Sequence, residues 1–180
     1  MNIVLIDCEN LTGRQHLAAG FRWRGWWIEL FGRKIHLDRW RSALAGHGLA
    51  PAAETVIADD AAPQEADLAI GRRVDTLLTE RPLAVTIASN DSDFDPDIAR
   101  LAAAGLAATR SGDLGPAALL ALVTAELARD GWADAGPVGE RLARDFGLSL
   151  KGRLRPLAAK AGVTIRPQGG RLRLAVPELT

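Results

Sequence analysis

Short apolar runs alternate along the first two thirds of the chain with longer stretches of helical period. Residues 2–6 (Asn-Ile-Val-Leu-Ile) are apolar without a polar face, the pattern of a strand buried on both sides, and the run stops at Asp7. Runs at 27–31, 55–58, 83–88 and 106–109 are bounded by Gly, Pro, Asp or Ser and predict four more strands. Helices are predicted over 37–45, over 64–78 behind Pro63, over 95–104 up to Gly105, and over 116–128. Strands alternating with helices of this length predict an α/β fold, a parallel sheet covered on both faces.

Residues 131–137 (Gly-Trp-Ala-Asp-Ala-Gly-Pro) read as a turn-rich break that separates a domain of residues 1–130 from a small one of 137–180. Beyond the break, helices are predicted over 138–146 and 150–161. Two strands follow, over 163–166 and 171–176, joined around Gly169-Gly170 as a hairpin. Two helices and a basic hairpin predict a small winged-helix-like unit.

With 180 residues, 48% of them hydrophobic, the chain has apolar matter for one ordinary core and a small appendage. Its single cysteine, Cys8, excludes an internal disulfide and a Cys-x-x-Cys zinc ribbon. His16, His36 and His47 show no His-Glu-x-x-His pattern, which argues against hydrolytic zinc. No apolar stretch approaches the roughly 20 residues of a membrane span, and no basic start leads into an apolar signal segment. The expectation is a soluble, cytoplasmic protein with no membrane partner.

The net charge is zero, but it is unevenly placed. Residues 136–180 carry nine Lys/Arg against three acids, a net of +6 that the remainder balances with −6. Such a tail suits a polyanion, while the body concentrates negative charge. In an open parallel sheet, ligands bind beyond the carboxyl ends of the strands. Two predicted strands end there in polar clusters, Asp7-Cys8-Glu9-Asn10 and Ser89-Asn90-Asp91-Ser92-Asp93-Phe94-Asp95, and Asp67 lies early in a predicted helix. Carboxylates gathered without His or Cys suit Mg²⁺ or Mn²⁺. A hard cation held there lowers the pKa of a water and stabilises charge on a phosphodiester. Asp95 and Asp97, beside the Pro96 helix start, are expected to serve as caps or macrodipole partners.

The order Ile-Asp-x-x-Asn (residues 6–10), Ala-Asp-Leu-Ala-Ile (66–70) and Ser-Asn-Asp-Ser-Asp-Phe-x-Pro (89–96), followed by Leu101 and Gly105, resembles the NYN domain family, LabA-like members of the PIN-like nuclease superfamily. The resemblance implies a three-layer α/β/α PIN-like (Rossmannoid) fold and a Mg²⁺- or Mn²⁺-dependent ribonuclease acting on single-stranded RNA. It puts Asp7, Asp67, Asp91 and Asp93 on the family's acidic metal positions, Asn10 on its polar partner and Ser89 on its strand-end hydroxyl, suited to hydrogen-bonding an acid or an RNA phosphate. Two departures stand out: Asn90 occupies a position that is usually Gly, and Arg73 one that often carries a further acid. The tail resembles a shortened OST-HTH (LOTUS) winged-helix domain over about 40 residues.

Residues 21–27 (Phe-Arg-Trp-Arg-Gly-Trp-Trp) interleave aromatics with arginines, a composition suited to unpaired bases and phosphates. Arg22, Trp23, Arg24 and Lys34 are therefore candidate RNA contacts, whereas Trp26 and Trp27 are expected to pack. In the tail, Lys151, Arg153, Arg155, Arg171 and Arg173 are candidates for a phosphate track, and alternation puts Arg171 and Arg173 on one side of a strand. Three other readings stay open: a catalytically weak or inactive RNA-binding and assembly module of the same fold, a Toprim-type phosphotransfer site with Glu9 as its acid, and a nucleotide-binding Rossmann module. The last lacks a Gly-rich turn after Asp7. Trp26, Trp27 and Trp40 leave a homodimer open.

Overall fold

Because residues 3–6 contain no polar member, β1 (Asn2–Asp7) is buried on both faces and takes the centre of a five-stranded sheet. A computed structural model describes residues 1–11 and 23–176 of the chain. β1 pairs with β2 (Trp27–Arg33) on one side and β4 (Ala84–Ala88) on the other, while β3 (Ala53–Ile57) and β5 (Ala107–Ser111) form the edges. Every pairing is parallel, and the order is β3-β2-β1-β4-β5.

Alternate side chains of β1 supply two cores. Val4 and Ile6 pack with Leu37, Trp40 and Leu44 of α1 (Lys34–Gly46). Ile3 and Leu5 pack with Ile70, Val74 and Leu77 of α2 (Glu65–Glu80) and with Leu101 of α3 (Asp95–Ala103). Each such aliphatic side chain contributes about 1.5–3 kcal/mol by leaving water. Helices therefore flank the sheet on both faces, consistent with three α/β/α layers. Pro96 sits in the first turn of α3, where a missing N–H costs nothing, and Gly105 follows its end at φ +82°.

The chain divides into two compact units after Asp113. The second contains α4 (Pro116–Leu127), β6 (Ala133–Asp134), α5 (Ala135–Phe146), α6 (Leu154–Ala161), β7 (Thr164–Gln168) and β8 (Arg171–Ala175). β7 and β8 form an antiparallel hairpin through Gly169 and Gly170, both at positive φ, and β6 adds to the other side of β8. Residues 131–137, read from the sequence as a break, thus contain a strand. Helix α4, which the sequence reading grouped with residues 1–130, packs on α5 and α6 within the second unit, burying Leu119, Leu120 and Val123. Among the described residues no helix is long and apolar enough to cross a membrane.

Candidate functional site

The strand order reverses direction on the two sides of β1, and such a switch point opens a crevice at the carboxyl ends of the strands that flank it. Asp7 is the last residue of β1, residues 89–93 follow β4, and Asp67 occupies the first turn of α2. Asp7, Glu9, Asn10, Asp67 and Asp91 line one cleft of about 250 Å³ together with Pro63 and Ala66. Asp93 borders a neighbouring cleft of about 410 Å³ that Asp67 also lines.

Asp7 is buried at 2% exposure and held from three directions. Its Oδ1 accepts the backbone N–H groups of Glu9 and Asn10, both at 3.2 Å, and its Oδ2 accepts the Ser89 hydroxyl at 2.8 Å. Burial pushes the Asp7 carboxyl above the ordinary carboxylate range, and these three donors pull against the shift. Ser89 also accepts the Asp91 N–H at 3.1 Å, and Asp91 Oδ1 caps the short turn at Ser92–Phe94 by accepting the Asp93 N–H at 2.9 Å. Ser89 is fully buried, and of the two partners its strand-end position suits, an acid or a phosphate, it meets acids: it donates to Asp7 and accepts from the Asp91 N–H. Asp67 is pushed up to about 6, first by partial burial and then by the negative charge of Asp7, Asp91, Asp93 and Glu9. The aspartates drawn from β1, α2 and the β4 loop therefore share one electrostatic environment.

Further contacts at this rim were not foreseen from the sequence. Arg33 at the end of β2 grips Glu9, its backbone N–H donating to Oε1 at 2.7 Å and its guanidinium to Oε2 at 2.5 Å. Gly32 admits that approach, since a Cβ there would stand 3.1 Å from the Glu9 side chain. Asn90 Nδ2 donates to the Asn10 carbonyl at 2.8 Å and to Asp113 Oδ2 at 3.0 Å, while its Oδ1 accepts the Asp113 N–H at 2.7 Å. The loops after β1, β4 and β5 are thereby clasped at one residue. Arg110 of β5 pairs with Asp95 at 2.6 Å, and Asp97 pairs with Arg100. Each partner is remote in sequence except Arg100, so only polar residues at strand ends hinted at them.

Arg73 does not enter the cleft lined by Asp7. It forks onto buried Glu29 near the start of β2, through Nε at 2.8 Å and Nη2 at 2.8 Å, and reaches Glu80 at 3.0 Å. Trp23, expected to stack on an unpaired base, lies in the core at 2% exposure with its ring 6.3 Å from that of Trp40. Aromatic residues interleaved with arginine have the same composition whether they pack inward or bind outward. Arg24 is exposed, Lys34 pairs with Asp38, and Arg22 lies outside the described residues. Trp26 packs against the core, and Trp27 is half-exposed with its indole N–H donated to Glu29 at 3.0 Å. In the second unit Lys151, Arg153 and Arg155 are exposed, while Arg171 and Arg173 both reach Asp134, at 3.8 and 3.2 Å.

Hard oxygen donors whose negative charge bears on Asp67 suit a divalent cation of the Mg²⁺ or Mn²⁺ kind, with Asp7, Asp67 and Asp91 as the residues nearest to such a role. Among the described residues, no three Asp, Glu, His or Cys side chains already stand in a cation-holding group. The fit is one of donor chemistry and shared charge. Compared with family models, curated proteins and solved structures, the chain finds no match.

Proposed function

We propose that the chain is a metal-dependent endoribonuclease of NYN and PIN-like type that hydrolyses single-stranded RNA, with a winged-helix-like second unit that lengthens RNA residence. The observation that carries this reading is one cleft lined by Asp7, Asp67 and Asp91 from three separate elements, at the switch point of a parallel sheet. Bound there, Mg²⁺ or Mn²⁺ supplies positive charge for the phosphodiester oxygens and lowers the pKa of water.

The chain's own residues prepare the cleft. Asp7 is immobilised by two backbone N–H groups and Ser89, so its carboxylate needs no reorganisation when charge arrives. Asp67, pushed up to about 6 by partial burial and by the negative charge of its neighbours, is the cleft carboxylate that a compensating cation would favour most. Asn90 holds the Asn10 carbonyl and fixes the loop that follows Asp7. Asp91 and Asp93 stand at the opening of α3, Asp93 toward the adjoining cleft. The proposal is tested by Mn²⁺-dependent cleavage of labelled RNA, compared between the wild type and Asp91→Asn.

A second reading, an RNA-binding module without efficient chemistry, is favoured by Asp93 bordering the neighbouring cleft and not the one lined by Asp7. RNA binding without cleavage in Mn²⁺ selects it.

A further inference from the structure

The second unit has a cleft of its own, about 490 Å³ in volume, where the end of α4, the turn after it and β8 meet. Leu127, Pro137, Trp132 and Arg129 line it, together with Arg173 and the carboxylates of Glu126 and Asp134. The backbone fixes Trp132: it and Arg129 exchange both N–H···O bonds, at 2.9 and 3.0 Å, and Arg173 Nη2 donates to the Trp132 carbonyl at 3.1 Å. The half-buried indole carries the Arg166 guanidinium 4.2 Å from its ring centroid. Arg129 is exposed, and its side chain makes no ion pair among the described residues.

A fixed indole and an arginine with no ion pair among the described residues line a cleft of this size and combine a ring for a base with a cation for its phosphate. Residues 114–180 hold ten Lys/Arg against six Asp/Glu, so the field around the cleft draws a polyanion. Glu126 and Asp134 are paired with Arg141 at 3.8 Å and Arg173 at 3.2 Å, and the lone pairs these ion pairs leave over suit the exocyclic amino group that cytosine, adenine and guanine carry and uracil lacks. We propose that this cleft holds one unpaired, amino-bearing base of single-stranded nucleic acid, stacked at Trp132 with the adjoining phosphate on Arg129. The proposal rests on the RNA-binding part of the proposed function and is independent of its hydrolysis.

The test is fluorescence anisotropy of short labelled oligo(C) and oligo(U) RNA titrated with the full chain in EDTA, which suspends metal-dependent cleavage. Oligo(C) is expected to bind more tightly than oligo(U). Trp132→Ala is expected to weaken oligo(C) binding about tenfold, Trp132→Phe by less, and Arg129→Gln a few-fold with a shallower salt dependence. Should Trp132→Ala fail to fold by circular dichroism, the decisive pair is Arg129→Gln and the loss of RNA-induced tryptophan quenching in Trp132→Phe. Wild-type affinity in folded Trp132→Ala and in Arg129→Gln overturns the site, as do quenching unchanged in Trp132→Phe and absence of binding to either probe. Equal binding of the two probes overturns the assignment to amino-bearing bases. An oligo(dC) arm that binds as oligo(C) does places recognition in base and phosphate, as proposed; oligo(dC) that fails to bind overturns recognition by base and phosphate alone. Mn²⁺-dependent cleavage with Trp132-independent binding removes this site and leaves the nuclease reading standing. Trp132-dependent binding without cleavage does the reverse.

Discussion

The buried hydroxyl of Ser89 donates to Asp7 Oδ2 at 2.8 Å, tying the acid that ends β1 to the loop that leaves β4. The same oxygen accepts the Asp91 N–H at 3.1 Å, so one atom orients two acids that lie 84 residues apart in sequence. Ser89→Ala removes a hydrogen-bond partner from both groups. The expected cost is about 1–3 kcal/mol, read from the midpoint of urea unfolding, and RNA cleavage is expected to fall further than the loss of folded protein accounts for.

Asp67 gives a pH signature. Its folded value, about 6, lies above the ordinary 3.8, so the folded state holds this proton more tightly than the unfolded chain does. The stability this confers is full below the unfolded value and is lost as pH rises through the folded one. Asp67→Asn stays neutral throughout. Its melting temperature is therefore expected to match the wild type near pH 4, to exceed it progressively up to about pH 6, and to hold that lead at pH 7. After screening by the water that reaches this half-exposed side chain, the lead amounts to about 1 kcal/mol. A wild type that melts higher than Asp67→Asn at pH 7 without added metal contradicts the crowding of like charges.

The same crowding predicts a response to divalent cations that requires no substrate. Mn²⁺ at ten to a hundred times its dissociation constant is expected to stabilise the wild type by about 1.4–2.7 kcal/mol in a thermal-shift titration. Asp67→Asn and Asp91→Asn are expected to lose most of that gain, and Asp95→Asn, whose carboxylate is committed to Arg110, to keep it.

How far the sequence reached can be judged at particular residues. The unbroken apolar run ending at Asp7 was enough to place a central strand and an acid at its carboxyl end, because both follow from local pattern. The clustering of Asp7, Asp67 and Asp91 was an expectation of motif order, and the strand order that produces it is a long-range property no local window holds. Trp23 illustrates the limit, since burial depends on what lies opposite and Trp40 was not identifiable as its partner. Strand β6 spans two residues, too few to show a period, and its pairing with β8 converts an expected break into part of a sheet. Helix α4 was legible as a helix, but the partner of its apolar residues was not.

Arg73 stands 44 residues from Glu29 and pairs with it through two nitrogens, which no spacing rule announces. Arg73→Ala leaves Glu29, 4% exposed, without its cation. The expected loss is about 3 kcal/mol at pH 7, read from the midpoint of urea unfolding. RNA cleavage per folded molecule is expected to stay near the wild-type rate, because the pair lies toward the start of β2, away from the strand ends that carry the aspartates. Cleavage lost in a folded Arg73→Ala protein would assign this arginine a part in the site.

The most direct test is the rate at which purified protein cuts internally within an end-labelled, unstructured RNA in Mn²⁺, with Asp7→Asn, Asp67→Asn and Asp91→Asn beside the wild type. The account predicts internal scission by the wild type, none in EDTA, and a fall of at least about a hundredfold in each folded variant, as when a group aimed at developing charge is removed. Wild-type cleavage persisting in all three variants, or no cleavage by the wild type across a mixed-sequence pool, contradicts it.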